Sequence, residues 1–168
     1  TGTTVSVEDA ARKMIAISDN TAADMLIELV GREAVEAQTQ RWIDDASANQ
    51  PFLTTRQMFL LHYVPGLADR YLATPPEQQG AFLASEVDPR PITDIGAGVS
   101  PDPRFVETVE WFASAEDVCR SFAGLHELST RPSLAPLSEI LSGEVRGLDL
   151  DAGEWPTVWY KGGSEPGV

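Results

Sequence analysis

Three consecutive polar residues near the start of the chain, Ser18, Asp19 and Asn20, could take part in proton transfer and amide binding. A serine hydroxyl both donates and accepts hydrogen bonds, as a proton relay requires, so Ser18 is a catalytic candidate. The Asn20 amide can hold a substrate amide, and the Asp19 carboxylate can accept hydrogen bonds from the turn that orients its neighbours. The alternative is an ordinary Ser-Asp-Asn cap between two helices.

A second group of candidate residues, Lys161, Gly162, Gly163 and Ser164, lies near the end of the sequence. Glycines let the backbone pass close to a bound substrate, so that its N–H and C=O groups become available to the substrate. Lys161 adds a positive charge, and Ser164 adds a hydroxyl. The alternative is a turn that merely ends a strand.

The residues before and after Ser18 are predicted to form two helices. Ser6 resembles an N-cap, and the apolar residues that follow recur with a period of 3.6. This helix is expected to end at Ser18, and Asn20 or Thr21 is expected to cap a second helix that Gly31 ends. The same signals predict further helices over residues 33–42, 54–64, 114–128 and 134–141, with two short ones within 67–87.

Two segments of the sequence differ from this helical pattern. Residues 88–104 are rich in Pro, Gly, Asp and Ser and are predicted to form a long loop. Residues 157–160 form a β-branched and aromatic run, Thr-Val-Trp-Tyr, that favours a strand. One strand cannot make a sheet, so its partners are expected outside this sequence. The predicted fold is therefore mainly α, ending in one strand.

The two candidate groups resemble two of the three motifs of serine β-lactamases and penicillin-binding proteins, which are S-x-x-K, S-D-N and K-T-G. Residues 14–26, Met-Ile-Ala-Ile-Ser-Asp-Asn-Thr-Ala-Ala-Asp-Met-Leu, resemble the helix, motif and following helix of class A β-lactamases almost residue for residue. The Lys-Gly-Gly run follows a predicted strand, as the third motif does. The chain is similar to the helical subdomain of this α+β fold.

This resemblance implies a division of the chain and roles for its residues. Residues 1–155 would form the helical subdomain, with an atypical insertion and loop over 49–104, and residues 156–168 would begin the sheet subdomain. Ser18 would relay a proton, Lys161 would supply positive charge near Ser18 and a substrate carboxylate, and Asn20 would bind the substrate amide. Gly162, Gly163 and Ser164 would bind substrate, and Asp19 would support the turn.

The sequence also departs from the family pattern. No S-x-x-K occurs in the 168 residues, so we expect the nucleophile upstream of Thr1 and predict that this fragment alone is inactive. Position 162 holds Gly where the family usually has Thr or Ser. No Glu is followed four residues later by Asn, so the usual deacylating base has no counterpart; Asp94, Asp102, Glu107 and Glu110 are the carboxylates that remain.

The parent protein is expected to act by acyl-enzyme transfer on a cyclic amide, peptide or ester. Among these reactions, β-lactam hydrolysis is the one that the resemblance favours most. A D,D-peptidase or esterase on the same scaffold is the alternative, as is an inactive binding module that retains the fold. The resemblance implies no metal or organic cofactor, a small-molecule substrate, and a need for the remainder of the polypeptide to complete the site. It also implies a bacterial protein that is periplasmic, secreted or anchored in the cell envelope.

The composition excludes some partners. The net charge of −14 would repel nucleic acid phosphates and an anionic membrane surface, and the sequence has no apolar run long enough to span a bilayer. The single cysteine, Cys119, is predicted to be a buried thiol on an apolar helix face. His62 and His126 have no metal-ligand spacing and are predicted to lie at the surface or at helix ends.

Overall fold

The computed structural model describes residues 2, 4–96, 102–143, 150–151 and 153–163, and the regular structure in these ranges is helical. The α-helices are α1 (Val7–Ala16), α2 (Asn20–Val30), α3 (Arg32–Trp42), α4 (Thr55–Tyr63), α5 (Leu67–Leu72), α6 (Pro76–Phe82), α7 (Ala115–Ser129) and α8 (Pro136–Ser142). Short 3₁₀ turns lie at Ala46–Asn49, Ile92–Ile95 and Pro132–Leu134, and a π turn lies at Leu83–Val87. The prediction of a mainly α fold is confirmed.

Helices α1 and α2 pack against each other and are joined by a three-residue turn, and α1 also packs against α8. Ser6 caps α1 as predicted, because its hydroxyl accepts a hydrogen bond from the backbone amide of Asp9 at 3.0 Å. The cap of α2 is Asp19 rather than Asn20 or Thr21, since its carboxylate accepts from the Ala22 amide at 3.0 Å. An aspartate at this position also suits the positive end of the helix dipole.

The hydrophobic core lies around α4, inside the segment that the sequence suggested as an insertion. Leu60 and Leu61 of α4 are completely buried, as are Leu83 and Val87 of the π turn. Each such side chain contributes roughly 1.5 to 3 kcal/mol through burial. The remaining buried members of this cluster are Leu53, Met58, Leu67, Ala68, Tyr71 and Val109. Residues 53–109 therefore supply the core against which α2 packs.

A carboxylate on α2 fixes the start of α4. The two oxygens of Asp24 accept hydrogen bonds from the backbone amides of Thr55, at 2.6 Å, and Arg56, at 2.9 Å. Thr54 and Gln57 add a capping box at the same helix end. Because the first amides of a helix have no intrahelical acceptor, Asp24 both satisfies them and joins α2 to the core helix.

Helix α7 is held against α3 by a polar contact and a close backbone approach. The Asp117 carboxylate is buried and accepts hydrogen bonds from the amide and hydroxyl of Ser114 and from the Asp44 amide, at 3.0 Å for the last. A Cβ at Gly124 would lie 3.0 Å from the ring of Trp42, so the small residue permits this packing. The buried face of α7 is therefore not the apolar one that was predicted, and Cys119 is exposed rather than buried.

The segment predicted as a strand, residues 157–160, has no regular secondary structure. It lies along the end of the helical bundle, where the Tyr160 amide donates to the Leu141 carbonyl at 3.1 Å and the Trp159 indole donates to Ser138 Oγ at 3.3 Å. A strand requires a neighbouring strand, and the described residues contain none; because the predicted partners were expected outside this sequence, the strand stays a prediction. Among those residues, no helix has the length and apolar character needed to cross a bilayer.

Candidate active site

Ser18 lies in a strained turn between α1 and α2. Its φ is 54°, in the left-handed region that costs a non-glycine residue about 1 to 3 kcal/mol. The turn is closed by the amide of Asp19, which donates to the Lys13 carbonyl at 3.2 Å, while the Asp19 side chain caps α2. The two helix ends thus fix the backbone on both sides of Ser18 and hold it in this conformation.

Lys161 brings the second candidate group to this turn. Its Nζ atom donates a hydrogen bond to Ser18 Oγ at 2.5 Å, across a sequence separation of 143 residues, and also contacts the Gly162 carbonyl. Both side chains are exposed to the cleft described below rather than buried. Since the Ser18 oxygen accepts from the ammonium group, its own proton is available to a third group.

Both candidate groups line one cleft of about 790 Å³. Ser18, Asn20, Lys161, Gly162 and Gly163 all contribute to its wall. Asp19 does not line it but supports the turn from behind through its cap on α2. Ser164 lies outside the described residues. The rest of the lining is formed by Ile15, Ala16, Thr55, Met58, Phe59, Glu110, Trp111 and Tyr160.

Gly162 is closely covered by the side chain of Tyr160. A Cβ added at Gly162 would lie 2.9 Å from the Tyr160 hydroxyl and 3.4 Å from two ring atoms. Real Cβ contacts are almost never shorter than 3.0 Å. A side chain at position 162, where the family usually has Thr or Ser, would therefore require the Tyr160 hydroxyl to shift.

The segment that carries Glu110 into the cleft has no helix or strand to hold it, and side chains anchor it instead. The Asn49 amide makes two hydrogen bonds with the Phe112 backbone, each 2.8 Å long. The Trp111 indole donates to the Leu53 carbonyl at 3.1 Å. Anchors on both sides of an irregular segment fix its position as regular structure would.

A buried histidine adds a third anchor next to Glu110. His62 lies in the last turn of α4, one of the two positions predicted for it, but it is buried, only 2% exposed, and its Nε2 atom lies 2.7 Å from the Val109 carbonyl. Because a carbonyl only accepts, Nε2 carries the proton. The same nitrogen lies 3.8 Å from Glu110 Oε1, whose side chain is 18% exposed. Glu110 is thus a positioned carboxylate at the edge of the cleft.

The other carboxylates considered from the sequence do not line the cleft. Glu107 is exposed, three residues before Glu110. Asp94 forms an ion pair with Arg90 at 3.5 Å, and Asp102 is exposed. Thr55 and Tyr160 also line the cleft and were not predicted to do so. Nothing in the sequence around the first of them indicates which cleft it faces. A Tyr directly before the Lys-Gly-Gly run was the available signal for the second of them.

A short turn between two helices thus presents a serine and an asparagine beside a lysine from the end of the chain, as in serine enzymes that transfer acyl groups. The model of the β-lactamase enzyme family matches residues 1–85. The chain belongs to this family, and its class is that of β-lactamase-like hydrolases with small-molecule substrates. A search of curated proteins finds no match.

Proposed function

We propose that this chain forms one wall of the active site of a serine hydrolase that acts through an acyl-enzyme. This wall relays a proton and binds the substrate, and β-lactams are the substrate class that we favour. The contact between Lys161 Nζ and Ser18 Oγ carries the proposal. The serine accepts from the ammonium group and passes its own proton to the leaving nitrogen of the substrate, while Lys161 replaces the lost proton. The positive charge also stabilises negative charge that develops on Ser18 during the transfer.

The neighbouring residues bind the substrate in this proposal. Asn20 donates and accepts hydrogen bonds with a substrate amide, and the backbone of Gly162 and Gly163, which carries no side chains, lines the cleft beside it. Residues 1–155 constitute the helical subdomain, and residues 156–168 begin the sheet subdomain. Because the 168 residues contain no S-x-x-K, the proposal requires an acylating serine from another segment of the protein.

Hydrolysis of the acyl-enzyme requires an activated water, and Glu110 is the carboxylate in the cleft that could provide it. Glu110 takes one proton as the water oxygen bonds to the acyl carbon. The bond from that carbon to the serine oxygen then breaks, and the serine oxygen receives the proton from Glu110. The acid product leaves, and the serine and the carboxylate return to their starting states.

The test uses the full polypeptide encoded by the reading frame that contains these residues. It is incubated with a chromogenic cephalosporin and with a p-nitrophenyl ester, and intact mass spectrometry detects a covalent adduct. Turnover of the cephalosporin through an adduct supports the proposal. An adduct without turnover supports a penicillin-binding activity, ester cleavage alone supports an esterase, and the absence of any adduct supports an inactive binding module.

A further inference from the structure

A second cavity, of about 610 Å³, adjoins the cleft, and we refer to it as the side pocket. Asn20, Thr55 and Phe59 line both spaces. Because Asn20 holds the substrate amide in the proposed function, the group beyond that amide can extend into the side pocket. The volume of the pocket falls in the range of small-molecule sites, which is roughly 300 to 1,000 Å³.

One wall of the side pocket is apolar and comes from three parts of the chain. Met25 belongs to α2, Phe59 to α4, and Ile92 and Ile95 to the 3₁₀ turn that follows the core segment. Met25 is 43% exposed and Ile92 is 49% exposed, so packing in the core does not explain these apolar side chains. The wall suits an aliphatic chain, because removing apolar surface from water is favourable.

The side pocket also contains a guanidinium group with available donors. Arg56 is half-buried at the start of α4, and its guanidinium donates to the Arg90 carbonyl. Among the described residues, no carboxylate lies within ion-pair distance of this group. A guanidinium has five N–H donors in a planar fork, and a carboxylate is the group that matches this fork best. Arg56 can therefore bind a carboxylate in the side pocket.

Two carboxylates on α2, those of Asp24 and Glu28, line the same pocket one helical turn apart. Each Asp24 oxygen already accepts a backbone amide at the start of α4. Glu28 is exposed and forms no ion pair with a described residue. A ligand with only a carboxylate would be repelled by these two charges, and one with only an ammonium group would be repelled by Arg56. A ligand with both charges is complementary to the pocket.

We propose that the side pocket binds an acyl side chain that ends in an amino-acid zwitterion, with the carboxylate on Arg56 and the ammonium group at Glu28. The methylene groups of this side chain lie against the apolar wall, and its amide stays on Asn20. The inference rests on the proposed function and deepens it, because it specifies the substrate class as amides whose acyl group carries a free amino acid at its far end. The described residues of the Lys161 segment do not line this pocket.

The test uses four substrates that share one cephalosporin nucleus and differ only at the end of a six-carbon acyl side chain. The side chains are 5-amino-5-carboxypentanoyl with both charges, adipoyl with the carboxylate, 5-aminohexanoyl with the ammonium group, and hexanoyl with neither. The full polypeptide is assayed by intact mass for the concentration of each substrate that gives half-maximal adduct formation. We expect this concentration to be about tenfold or more lower for the zwitterion than for the other three, as for hydrogen bonds to charged groups.

Two variants assign the two charges. Glu28→Gln should raise the half-maximal concentration for the zwitterion about tenfold, to the level of the adipoyl substrate. Arg56→Gln should remove the advantage of the zwitterion over the 5-aminohexanoyl substrate. The hexanoyl substrate should change less than about twofold in either variant, as should all four substrates in the control Glu116→Gln, an exposed glutamate outside the pocket.

Melting temperatures show whether the variants fold. Arg56 also contacts the Arg90 carbonyl, so Arg56→Gln could weaken the fold as well as the binding. Glu28→Gln changes an exposed side chain without such a contact among the described residues, and it tests the inference independently of Arg56.

Two results would overturn the inference and leave the proposed function intact, because adducts would still form. The first is a half-maximal concentration for the zwitterion that is equal to or higher than that of another substrate in the set. The second is an unchanged preference for the zwitterion in Glu28→Gln. If the wild-type polypeptide forms no adduct with any of the four substrates, the proposed function itself is wrong, and the inference falls with it.

Discussion

The ammonium group of Lys161 lies 2.5 Å from the hydroxyl of Ser18, although the two residues are 143 positions apart. The contact joins the turn between α1 and α2 to a segment that packs along α8 through the Tyr160 amide. Neither partner is buried, so the pair adds little to stability. In the proposed function the contact matters for the chemistry, because it would orient the serine proton.

The strain at Ser18 can be separated from the chemistry of its hydroxyl. Ser18→Gly and Ser18→Ala both remove the hydroxyl, but only glycine adopts a φ of 54° without cost. We expect the glycine variant to be more stable than the alanine variant by about 1 kcal/mol in urea unfolding. Both should slow acylation of the full polypeptide about equally. Equal stability of the two variants would show that the turn stores no strain.

Glu110→Gln tests whether this carboxylate activates water. The adduct should form at nearly the wild-type rate but decay about 100-fold or more slowly, in the range expected for loss of a general base. The measurement is the decay of adduct mass after excess substrate is removed. Glu107→Gln is the control, since Glu107 is exposed outside the cleft lining, and both of its rates should stay within about twofold of wild type, as for a surface substitution. Wild-type decay in Glu110→Gln would exclude the assignment.

His62 is expected to position Glu110 through the Val109 carbonyl. His62→Gln retains a donor near the Nε2 position, whereas His62→Leu removes it and leaves the carbonyl without that partner. Adduct decay should therefore be slower in the leucine variant than in the glutamine variant, with adduct formation affected much less in both. A decay rate that follows only the loss of folding stability would indicate a purely structural histidine.

Asp24 is predicted to be the most important polar residue for the stability of the helical bundle. Asp24→Ala leaves the amides of Thr55 and Arg56 without their acceptor, which should cost about 2 to 3 kcal/mol of unfolding free energy. Glu28→Ala, an exposed position one turn further along α2, should change stability by less than about 0.5 kcal/mol. Similar losses in both variants, measured by urea unfolding, would contradict this role.

Asp117 should make the fold sensitive to acid. Hydrogen bonds from the backbone and side chain of Ser114, then from the Asp44 amide, and the charge of Arg120 lower the pKa of Asp117. A lowered pKa in the folded state means that the stabilisation is complete above the ordinary aspartate pKa, near about 4, and is lost as the pH falls through the lower value.

The pH dependence of the stability of the Asp117→Asn variant tests whether the ionised Asp117 carboxylate stabilises the fold. The variant should be less stable than wild type at pH 7, and the difference should shrink as the pH falls below about 4. Glu116→Gln serves as the control, because the Glu116 side chain is 82% exposed. The measurement is the urea midpoint as a function of pH. A difference between wild type and Asp117→Asn that stays constant down to pH 2 would contradict the assignment.

The sequence predicted most helices, because caps and apolar periodicity are local signals. Ser6 caps α1, and the breaks at Gly31 and Pro75 fall at helix ends, as expected. The two candidate groups could be selected from the sequence, since their residue types and contexts are local, and residues of both line one cleft. That Lys161 would contact Ser18 followed from the resemblance alone, since no local pattern records a contact across the whole chain.

The errors concern burial and partners, which depend on tertiary packing. His62 was expected at the surface or at a helix end; it lies in the last turn of α4 but is buried, because α4 is buried on nearly all sides. Cys119 was expected inside, but α7 packs through its Asp117 and Gly124 face. The run at 157–160 has strand composition but no regular secondary structure, and because its predicted partner strands lie outside this sequence, the strand stays a prediction. The covering of Gly162 by Tyr160 depends on side-chain placement and could not be predicted.

The central claim is that Ser18 and Lys161 act together in acyl transfer. The measurement that tests it most directly is the rate of adduct formation between the full polypeptide and a chromogenic cephalosporin, followed by intact mass for wild type, Ser18→Ala, Lys161→Met and the double variant. We predict a single adduct for wild type, a loss of about 100-fold or more in each single variant, and little further loss in the double variant, because the two residues work as a unit. Formation of the adduct at the wild-type rate in either single variant would contradict the account.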